Sequence, residues 1–259
     1  MNKPVMGIQL YTLRDHIQNA EDFDSTLEKL EKMGVSDVQI SGIGDIPADI
    51  QGNIVKKHGM NVCVTHKGFE RMLTDLDAMI AEHKEINCDA MGIGSAPQEG
   101  RDTEENVRAF IEKAQAVGAK LKENGMTFNY HNHDFEFKAL ENSDKSMMDI
   151  LLAETDPAVF NFIPDVAWID YAGYSPVEVL KKMQGRVKVL HFKDYIINEK
   201  GERKFVSLGK GVVDLKGCCE TAKELGIPYI MYEQDCDWVD NDPFKATEQS
   251  WEFMQSLIK

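Results

Sequence analysis

Short apolar runs alternate with longer amphipathic segments along the chain. The runs predict strands at residues 5–11, 35–41, 61–66, 90–94, 127–131, 160–164, 187–191 and 229–233. The amphipathic segments predict helices at residues 23–33, 48–58, 71–86, 104–124, 146–153, 176–183, 215–225 and 243–258. Each strand and helix together span about 30 residues, the length that a helical crossover between two parallel strands requires.

Eight such units without a linker predict an α/β fold, a single (β/α)8 TIM barrel domain of residues 1–259. A doubly wound sheet of eight strands is the alternative. That fold would need a crossover to the other face of the sheet, and no glycine-rich nucleotide fingerprint follows the first strand. We therefore prefer the barrel.

Side chains of metal-ligand type stand at the ends of the last four predicted strands, namely His131, Asp165, His191 and Glu233. The carboxyl ends of the strands of a parallel barrel meet at one rim, where such folds carry their chemistry. Two imidazoles and two carboxylates without a thiolate suit Mn²⁺, Co²⁺, Fe²⁺ or Zn²⁺ better than Ca²⁺ or a structural zinc. The pattern therefore predicts one divalent metal ion bound by these four residues.

Catalytic groups are expected beside these ligands. Glu233, or one of His131 and His133, would accept a proton from the substrate. Lys193 follows His191 by two residues and so lies on the same side of the strand, where it could stabilise developing negative charge. The alternative for Lys193 is a salt bridge with Asp194 or Asp165.

Several further rim residues are candidates for binding a polyol through hydroxyl, amide and ring contacts: Gln9, Tyr11, Gln39, His66 and Trp168. Packing within the core is the alternative for each of them. A structural role is equally open for any single strand-end histidine, but four histidines at one rim favour function. His58 and His83 fall within predicted helices and are expected at the surface, and His16 is left open.

Two predicted loops, residues 94–100 and 195–214, are long enough to act as lids over the rim. The second contains Gly209 and Gly211. A turn that requires positive φ is the preferred interpretation of these glycines, and a phosphate cradle is the weaker alternative.

The composition argues against several classes of binding partner and indicates where the protein works. The net charge of −15, from 44 acidic and 29 basic residues, opposes binding to nucleic acid. The sequence has no apolar run of signal-peptide or membrane-spanning length, so we expect no membrane association and a cytoplasmic location. The five cysteines lack a CxxC spacing, which indicates neither a disulfide framework nor a structural zinc site and fits a reducing compartment.

Six stretches carry a resemblance to a known family: GIQLYTLRD at residues 7–15, YHNHDFEF at 130–137, PD at 164–165, HFKD at 191–194, LGKGVVD at 208–214 and YEQD at 232–235. They resemble the xylose isomerase-like TIM barrels called sugar phosphate isomerase/epimerases. That superfamily also contains endonuclease IV, inosose dehydratase, hydroxypyruvate isomerase and ketose 3-epimerases. The resemblance extends over the full length, although no motif supports a phosphate group on the substrate.

The resemblance implies a single divalent metal, in the epimerases often Mn²⁺, bound by Glu, Asp, His and Glu from the last four strands; Zn²⁺, Co²⁺, Fe²⁺ and Mg²⁺ are the alternatives. Asp165, His191 and Glu233 match three of these ligands, but the position of the first glutamate is His131. The epimerases use their two glutamates as a pair of acid/base groups. Because His131 stands in the place of the first glutamate, the resemblance argues less strongly for a two-glutamate mechanism in this chain. Trp168 replaces a further histidine of the epimerases, and the His-x-His and His-x-Lys-Asp motifs look closer to the dehydratase branch.

Together these features predict a metal-dependent isomerase or epimerase that abstracts a proton next to the carbonyl of a sugar or keto-sugar, through an enediolate held by the metal. Glu233, His133 and Lys193 are its predicted catalytic residues. A dehydratase or lyase acting on a keto-sugar or keto-inositol is the alternative, followed by a non-catalytic sugar-binding barrel. Cleavage of phosphodiesters is disfavoured, because it would need more metal ligands and a basic surface, whereas this chain is acidic. The expected partner is a small sugar, and a homo-oligomer is left open.

Overall fold

The apolar runs of the sequence form parallel strands that pair around a barrel in the computed structural model, which describes residues 3–258. The barrel strands are β1 (Val5–Gln9), β2 (Asp37–Ile40), β3 (Asn61–His66), β4 (Ala90–Ile93), β5 (Thr127–His131), β6 (Asn161–Ile163), β7 (Val189–Phe192) and β10 (Tyr229–Tyr232). Their order in the sheet is β6-β5-β4-β3-β2-β1-β10-β7. Isolated parallel bridges from Phe162 to Val187 and from Asp165 to His191 connect β6 with β7.

Helices surround this barrel: α1 (Ala20–Lys32), α2 (Ala48–Lys57), α3 (Phe69–Thr74), α4 (Leu76–Glu85), α5 (Glu104–Glu123), α6 (Met147–Glu154), α7 (Val166–Tyr171), α8 (Pro176–Lys182), α9 (Leu215–Leu225) and α10 (Pro243–Leu257). The predicted (β/α)8 TIM barrel is confirmed, and the terminal residues 1, 2 and 259 of the predicted domain lie outside the described residues. None of the helices within residues 3–258 combines the length and apolar character that a membrane crossing requires.

Apolar side chains fill the barrel beneath its rim. Strands β3, β4, β6, β7 and β10 contribute buried side chains to one interior cluster, which consists of Cys63, Val64, Ala90, Ile163, Val189 and Met231. Two larger clusters fill the space between the strands and the helices. Because close-packed interiors deform little, the strand ends above them have a rigid base.

Three elements differ from the predicted ones. Strand β1 ends at Gln9, whose side-chain oxygen accepts a hydrogen bond from the Tyr11 amide at 3.2 Å and opens a 3-10 turn, Leu10–His16. The predicted helix 71–86 is divided into α3 and α4 at Asp75, which has a non-helical φ of −144°. Helix α7 was not predicted, because its six residues are too few to show a helical period.

The predicted lid loop 195–214 contains a hairpin of two antiparallel strands, β8 (Asp194–Ile197) and β9 (Arg203–Val206). After the hairpin the chain is organised by the buried carboxylate of Asp194. This carboxylate accepts hydrogen bonds from the backbone N–H groups of Tyr195, Gly209, Gly211 and Val213 at 2.9 to 3.1 Å.

The Asp194 carboxylate explains both glycines of this loop. Gly209 has a φ of +77°, as the turn interpretation predicted. Gly211 has no positive φ, but a Cβ atom at this position would lie 2.2 Å from Asp194 Oδ1. The N–H groups that a phosphate cradle would need already bind an internal carboxylate, so the phosphate-cradle alternative is wrong.

Candidate active site and metal centre

The four ligand-type residues predicted from the strand ends converge on one point of the rim. His131 ends β5, Asp165 follows β6, His191 lies within β7 and Glu233 follows β10. One potential ligand atom from each of the four lies within 4.8 Å of the corresponding atom of every other, and all four residues are buried. Closure of a parallel barrel brings these atoms together although they are far apart in sequence.

His131 presents one ring nitrogen to the centre of the cluster. Its Nδ1–H donates a hydrogen bond to the carbonyl oxygen of Gly94 at 3.0 Å, and this leaves the lone pair on Nε2. Nε2 lies 3.5 Å from Asp165 Oδ2 and 3.9 Å from Glu233 Oε2. A histidine whose second nitrogen donates to a carbonyl oxygen is oriented in the way that metal-binding histidines commonly are.

His191 is oriented by an amide. Its Nε2 lies 2.7 Å from Gln39 Oε1 and its Nδ1 lies 3.0 Å from Glu233 Oε2, and a neutral ring donates to one of these two oxygens; donation to Gln39 would leave Nδ1 for a metal shared with Glu233. Burial lowers the pKa of His191 and outweighs the opposing effect of the Glu233 carboxylate. The ring is therefore neutral near pH 7, which is the form that binds a metal.

The two carboxylate oxygens of Asp165 have different roles. Its Oδ1 caps helix α7 by accepting hydrogen bonds from the backbone N–H groups of Ala167 and Trp168 at 3.0 and 3.2 Å. The other oxygen, Oδ2, is buried and accepts no hydrogen bond of suitable geometry, although the Lys193 ammonium lies 3.2 Å from it. Burial acts to raise the pKa of Asp165, but Lys193 and His131 outweigh it and the pKa is lowered. The capping role therefore leaves one ionised oxygen available for a cation.

Lys193 is buried among carboxylates. Its Nζ lies 3.2 Å from Asp165 Oδ2, 3.2 Å from Glu233 Oε2 and 2.7 Å from Asp235 Oδ2. Burial alone would lower the pKa of Lys193, yet the three carboxylates raise it, so the ammonium form persists. The pairing with Asp165 considered from the sequence is present, whereas the pairing with Asp194 is wrong because that carboxylate binds loop amides.

The charges of the cluster complement a divalent cation. The carboxylates of Asp165 and Glu233 exceed the ammonium of Lys193 by one negative charge, and Asp235, whose pKa burial raises, adds a second negative charge when it is ionised. Although burial acts to lower the pKa of His131, Asp165 and Glu233 raise it, so a proton partly compensates the excess charge when no metal is bound. Asp235 was missed by the sequence analysis, although its position two residues after Glu233 was a signal that both side chains share a side of the chain.

Unpaired polar atoms concentrate around the same cluster. The buried atoms without a hydrogen-bond partner include Gln9 Nε2, Gln39 Nε2, His66 Nε2, His131 Nε2, His133 Nδ1, Asp165 Oδ2 and Trp168 Nε1. Each such group costs about 1 to 3 kcal/mol when left unsatisfied, so folded proteins contain few of them. The lone pairs on His131 and Asp165 fit a cation, and the amide and indole N–H groups fit the oxygens of a polyol.

A cavity of about 280 Å³ opens beside the cluster and is lined by Tyr11, Ser41, His66, Gly94, Ser95, His131, His133, Lys193, Glu233 and Asp235. Of the predicted substrate-binding residues, Tyr11 and His66 line this cavity. Gln9 and Gln39 are fully buried at the ends of β1 and β2. Trp168 contacts His133, with ring centroids 5.1 Å apart. A larger cavity of about 560 Å³ opens at the opposite end of the barrel and contains none of these residues.

His133 is held beside His131, with ring centroids 4.9 Å apart. Burial, reinforced by the positive charges of His131 and Lys193, lowers the pKa of His133 to about 3. The ring is therefore neutral near pH 7, with Nδ1 unpaired.

The remaining histidines correct one prediction. His83 is fully buried, with Nε2 bonded to Thr65 Oγ1 and Nδ1 to the Met79 carbonyl oxygen, both at 2.7 Å. His58 is buried between two carboxylates. The expected surface location of both is wrong, because their helices turn them towards the barrel and towards α1. His16, which was left open, is exposed against Phe244.

The fold and the rim cluster define a (β/α)8 barrel with a candidate divalent-metal centre at the carboxyl ends of its strands. A profile of the xylose isomerase-like TIM barrel family matches residues 52–257, and the chain belongs to this family. The family resemblance drawn from the sequence motifs is confirmed.

Curated relatives match parts of the chain. An inosose dehydratase of Lacticaseibacillus casei is 23% identical over 159 residues, which cover 56% of this chain and 52% of the relative. An inosose dehydratase of Clostridium perfringens is 37% identical over 92 residues, or 35% of this chain and 29% of the relative. The chain thus spans about half the length of the first of these relatives, and less of the second.

Solved structures match over the whole length. A sugar phosphate isomerase/epimerase from Parabacteroides distasonis superposes with a TM-score of 0.81 at 24% identity, covering 100% of this chain and 96% of that one. An L-ribulose 3-epimerase superposes with a TM-score of 0.71 at 11% identity, covering 98% and 94%. At these identities the likeness concerns the fold.

Proposed function

We propose that the chain is a divalent-metal-dependent enzyme that abstracts a proton next to the carbonyl group of a sugar or keto-sugar, as an isomerase or epimerase. The observation that carries this proposal is the buried cluster of two imidazoles and two carboxylates beside a cavity with unpaired polar atoms. Membership of a family whose relatives act on sugars and inososes supports the same substrate class.

The metal would be held by His131 through Nε2, Asp165 through Oδ2, His191 through Nδ1 and Glu233 through its carboxylate. A bound divalent ion stabilises the negative charge that develops on the substrate oxygens when the proton leaves. Mixed nitrogen and oxygen ligands favour Mn²⁺, with Zn²⁺, Co²⁺, Fe²⁺ and Mg²⁺ as alternatives.

The substrate would be bound by the polar groups that lack partners. Gln9 and Gln39 each offer an amide N–H, and Trp168 offers its indole N–H. Tyr11 and His66 line the cavity and would contact further hydroxyl groups. The polar groups that line the cavity, with the buried amide and indole N–H groups behind it, would favour a ligand with several oxygens, because any donor left unpaired lowers affinity.

Glu233 is the proposed base. Burial acts to raise its pKa, but Lys193, His191 and His131 lower it well below the usual value and keep the carboxylate ionised. Neutral His133, with an unpaired Nδ1, is the alternative base. Lys193 Nζ would donate to the substrate oxygen on which charge accumulates.

Dehydration of a keto-sugar or keto-inositol is the second candidate. It shares the loss of the α proton, after which the β carbon–oxygen bond breaks and the hydroxyl leaves as water. The observation in its favour is His131, which occupies the place of the other epimerase glutamate. The Lys193 ammonium would have to donate the proton to the leaving hydroxyl, although the three carboxylates around it raise its pKa after burial has acted to lower it. The inosose dehydratase relatives agree with this alternative.

The test is metal analysis of the purified protein, followed by incubation with Mn²⁺ and a panel of keto-sugars and polyols in D₂O. An isomerase or epimerase would give a product with the same formula as the substrate, apart from deuterium on the α carbon. A dehydratase would give a product that has lost one water. Glu233→Gln should abolish deuterium exchange even when metal stays bound. If exchange survives in Glu233→Gln and disappears in His133→Ala, His133 is the base. A protein that neither retains metal nor processes any substrate in the panel contradicts the proposal.

A further inference from the structure

A buried carboxylate lies behind the rim, outside the candidate metal ligands. Glu136 has no exposed surface. Its Oε1 accepts a hydrogen bond from the Tyr130 hydroxyl at 2.7 Å, and its Oε2 accepts one from the backbone N–H of His133 at 2.8 Å. Within residues 3–258 it forms no ion pair with a lysine, arginine or histidine. Burying a carboxylate with only neutral donors is costly, so a specific geometry must depend on it.

One partner of Glu136, the Tyr130 hydroxyl of β5, also contacts the neighbouring loop. The Tyr130 hydroxyl also accepts a hydrogen bond from the backbone N–H of Ala96 at 3.3 Å, in the loop that follows β4. Gly94 of the same loop accepts the hydrogen bond from His131 Nδ1. Two consecutive residues of β5, Tyr130 and His131, are therefore hydrogen-bonded to the loop after β4.

An arginine braces the same two loops from the outside. Arg101 donates from Nε to the Ala96 carbonyl oxygen at 2.8 Å and from Nη2 to Ser95 Oγ at 3.1 Å. Its guanidinium carbon lies 4.4 Å from the centroid of the Phe135 ring, which in turn stacks on His133 with an interplanar angle of 15°. His133 is thus held by Glu136 at its backbone and by Phe135 at its ring.

We propose that Glu136 is a positioning residue that clamps the β5 loop to the β4 loop and thereby directs His131 Nε2 and His133 Nδ1 towards the candidate active site. A carboxylate suits this role because in its ionised form both oxygens accept, so it satisfies the Tyr130 hydroxyl and the His133 N–H together. Glutamine has one acceptor oxygen, so the Tyr130 hydroxyl and the His133 N–H can no longer both donate to this side chain. The catalytic consequence of the clamp rests on the proposed function, but the clamp itself does not.

The first test measures amide hydrogen exchange in metal-free protein. In Glu136→Gln the His133 amide should exchange about tenfold faster or more, because its acceptor is lost or weakened. Tyr130→Phe keeps the contact between Glu136 and the His133 N–H, so it should accelerate exchange at the His133 amide less than Glu136→Gln does. In the double variant this amide should exchange no faster than in Glu136→Gln, because both substitutions disrupt the same set of hydrogen bonds. Tyr232→Phe is the matched control: it removes another buried hydroxyl, bonded to Gln234 Oε1, and should leave residues 131–137 unchanged. Wild-type exchange at His133 in folded Glu136→Gln would overturn the inference.

The second test titrates the same proteins with Co²⁺ and records its visible absorption, which reports the geometry of the ligands. Glu136→Gln should weaken Co²⁺ binding by about tenfold or more and change the spectrum, as loss of a group that orients a ligand does. A wild-type affinity and spectrum in Glu136→Gln would contradict the positioning of His131. If wild-type protein binds no Co²⁺, Mn²⁺ or Zn²⁺, the proposed function fails, and the exchange experiment alone decides the role of Glu136.

Discussion

Hydrogen bonding at the second ring nitrogen distinguishes His83 from His131 and His133. Both nitrogens of His83 have partners that are not part of any site. His131 uses Nδ1 for a backbone carbonyl and leaves Nε2 unpaired, and His133 leaves Nδ1 unpaired. Because an unpaired buried nitrogen is costly, such an atom indicates a ligand more directly than the presence of a histidine at a strand end.

His191→Ala should abolish metal binding while the barrel stays folded, because the rim contributes little to the apolar layers beneath it. His83→Ala is the control, which removes a fully buried ring with two hydrogen bonds. It should cost about 2 to 4 kcal/mol of stability without changing metal affinity. Metal content and thermal melting in metal-free buffer measure both effects. Melting of His191→Ala far below metal-free wild type would argue against a separable site.

Glu136 should make stability depend on pH. Burial raises its pKa from 4.5 to about 7, so between these values the folded protein holds a proton that the unfolded chain has released. Stability should therefore fall as the pH rises from about 4.5 to 7, by about 3 kcal/mol in total, and then level off.

Glu136→Gln removes this titration, so the stability of the variant relative to wild type should improve by that amount between pH 5 and pH 8. Chemical denaturation at the two pH values measures the difference. A stability difference that is the same at both would show that Glu136 keeps an ordinary pKa.

At the scale of elements, a histidine joins α1 to the end of α2. His58 Nε2 lies 2.9 Å from Asp24 Oδ1, and Nδ1 lies 2.7 Å from Glu31 Oε2, so both nitrogens donate only when the ring is charged. Burial acts to lower the pKa of His58, but the two carboxylates raise it above 6.5.

The stabilisation from His58 should be fully present below about pH 6.5, the unfolded value, and be lost as the pH rises through the higher folded pKa. His58→Gln should remove this part of the pH dependence, which urea unfolding between pH 5.5 and 8.5 would detect. Parallel pH profiles of the two proteins would show that the charged pair does not form.

Helix α5 packs against the segment before β6 through Gly118. A Cβ atom on Gly118 would lie 2.0 Å from the Val159 carbonyl oxygen. Helix propensity alone favours alanine over glycine by about 0.5 to 1 kcal/mol, but overpacking costs about 1 to 3 kcal/mol. Gly118→Ala should therefore destabilise the protein. Exposed Ala119→Gly is the control and should lose only the propensity term; a stabilised Gly118→Ala in urea unfolding would show that the contact relaxes.

At the scale of the whole molecule, acidic residues surround and enter the site. The net charge of −15 attracts cations, and the carboxylates of Asp165, Glu233 and Asp235 outnumber the Lys193 ammonium beside them.

Bound metal should raise the melting temperature, since a ligand that binds only the folded state adds about 2.7 kcal/mol at 100 times its Kd. Mn²⁺ should shift the melting temperature of wild type but not that of His191→Ala. Ca²⁺ should shift it less, because calcium prefers oxygen ligands to imidazole. Equal shifts in the two proteins would place the metal elsewhere on the acidic surface.

The sequence by itself determined the architecture and the four candidate metal ligands. Apolar periodicity is a local property, so strands such as β3 and β5 and helix α9 could be delimited from their own residues. The side chains that follow parallel strands meet at one rim once the barrel closes, and this general rule was enough to bring His131, Asp165, His191 and Glu233 together.

Only the tertiary structure decided which polar groups are paired. The burial of Glu136 and His83, the contact of Asp235 with Lys193, and the binding of loop amides by Asp194 depend on partners that come from other elements or loops. No local pattern of polar and apolar residues encodes such a pairing, because a buried charge and a solvated charge have the same letter in the sequence. The free energy of a polar group depends on what surrounds it after folding, and the three-dimensional arrangement alone determines those surroundings.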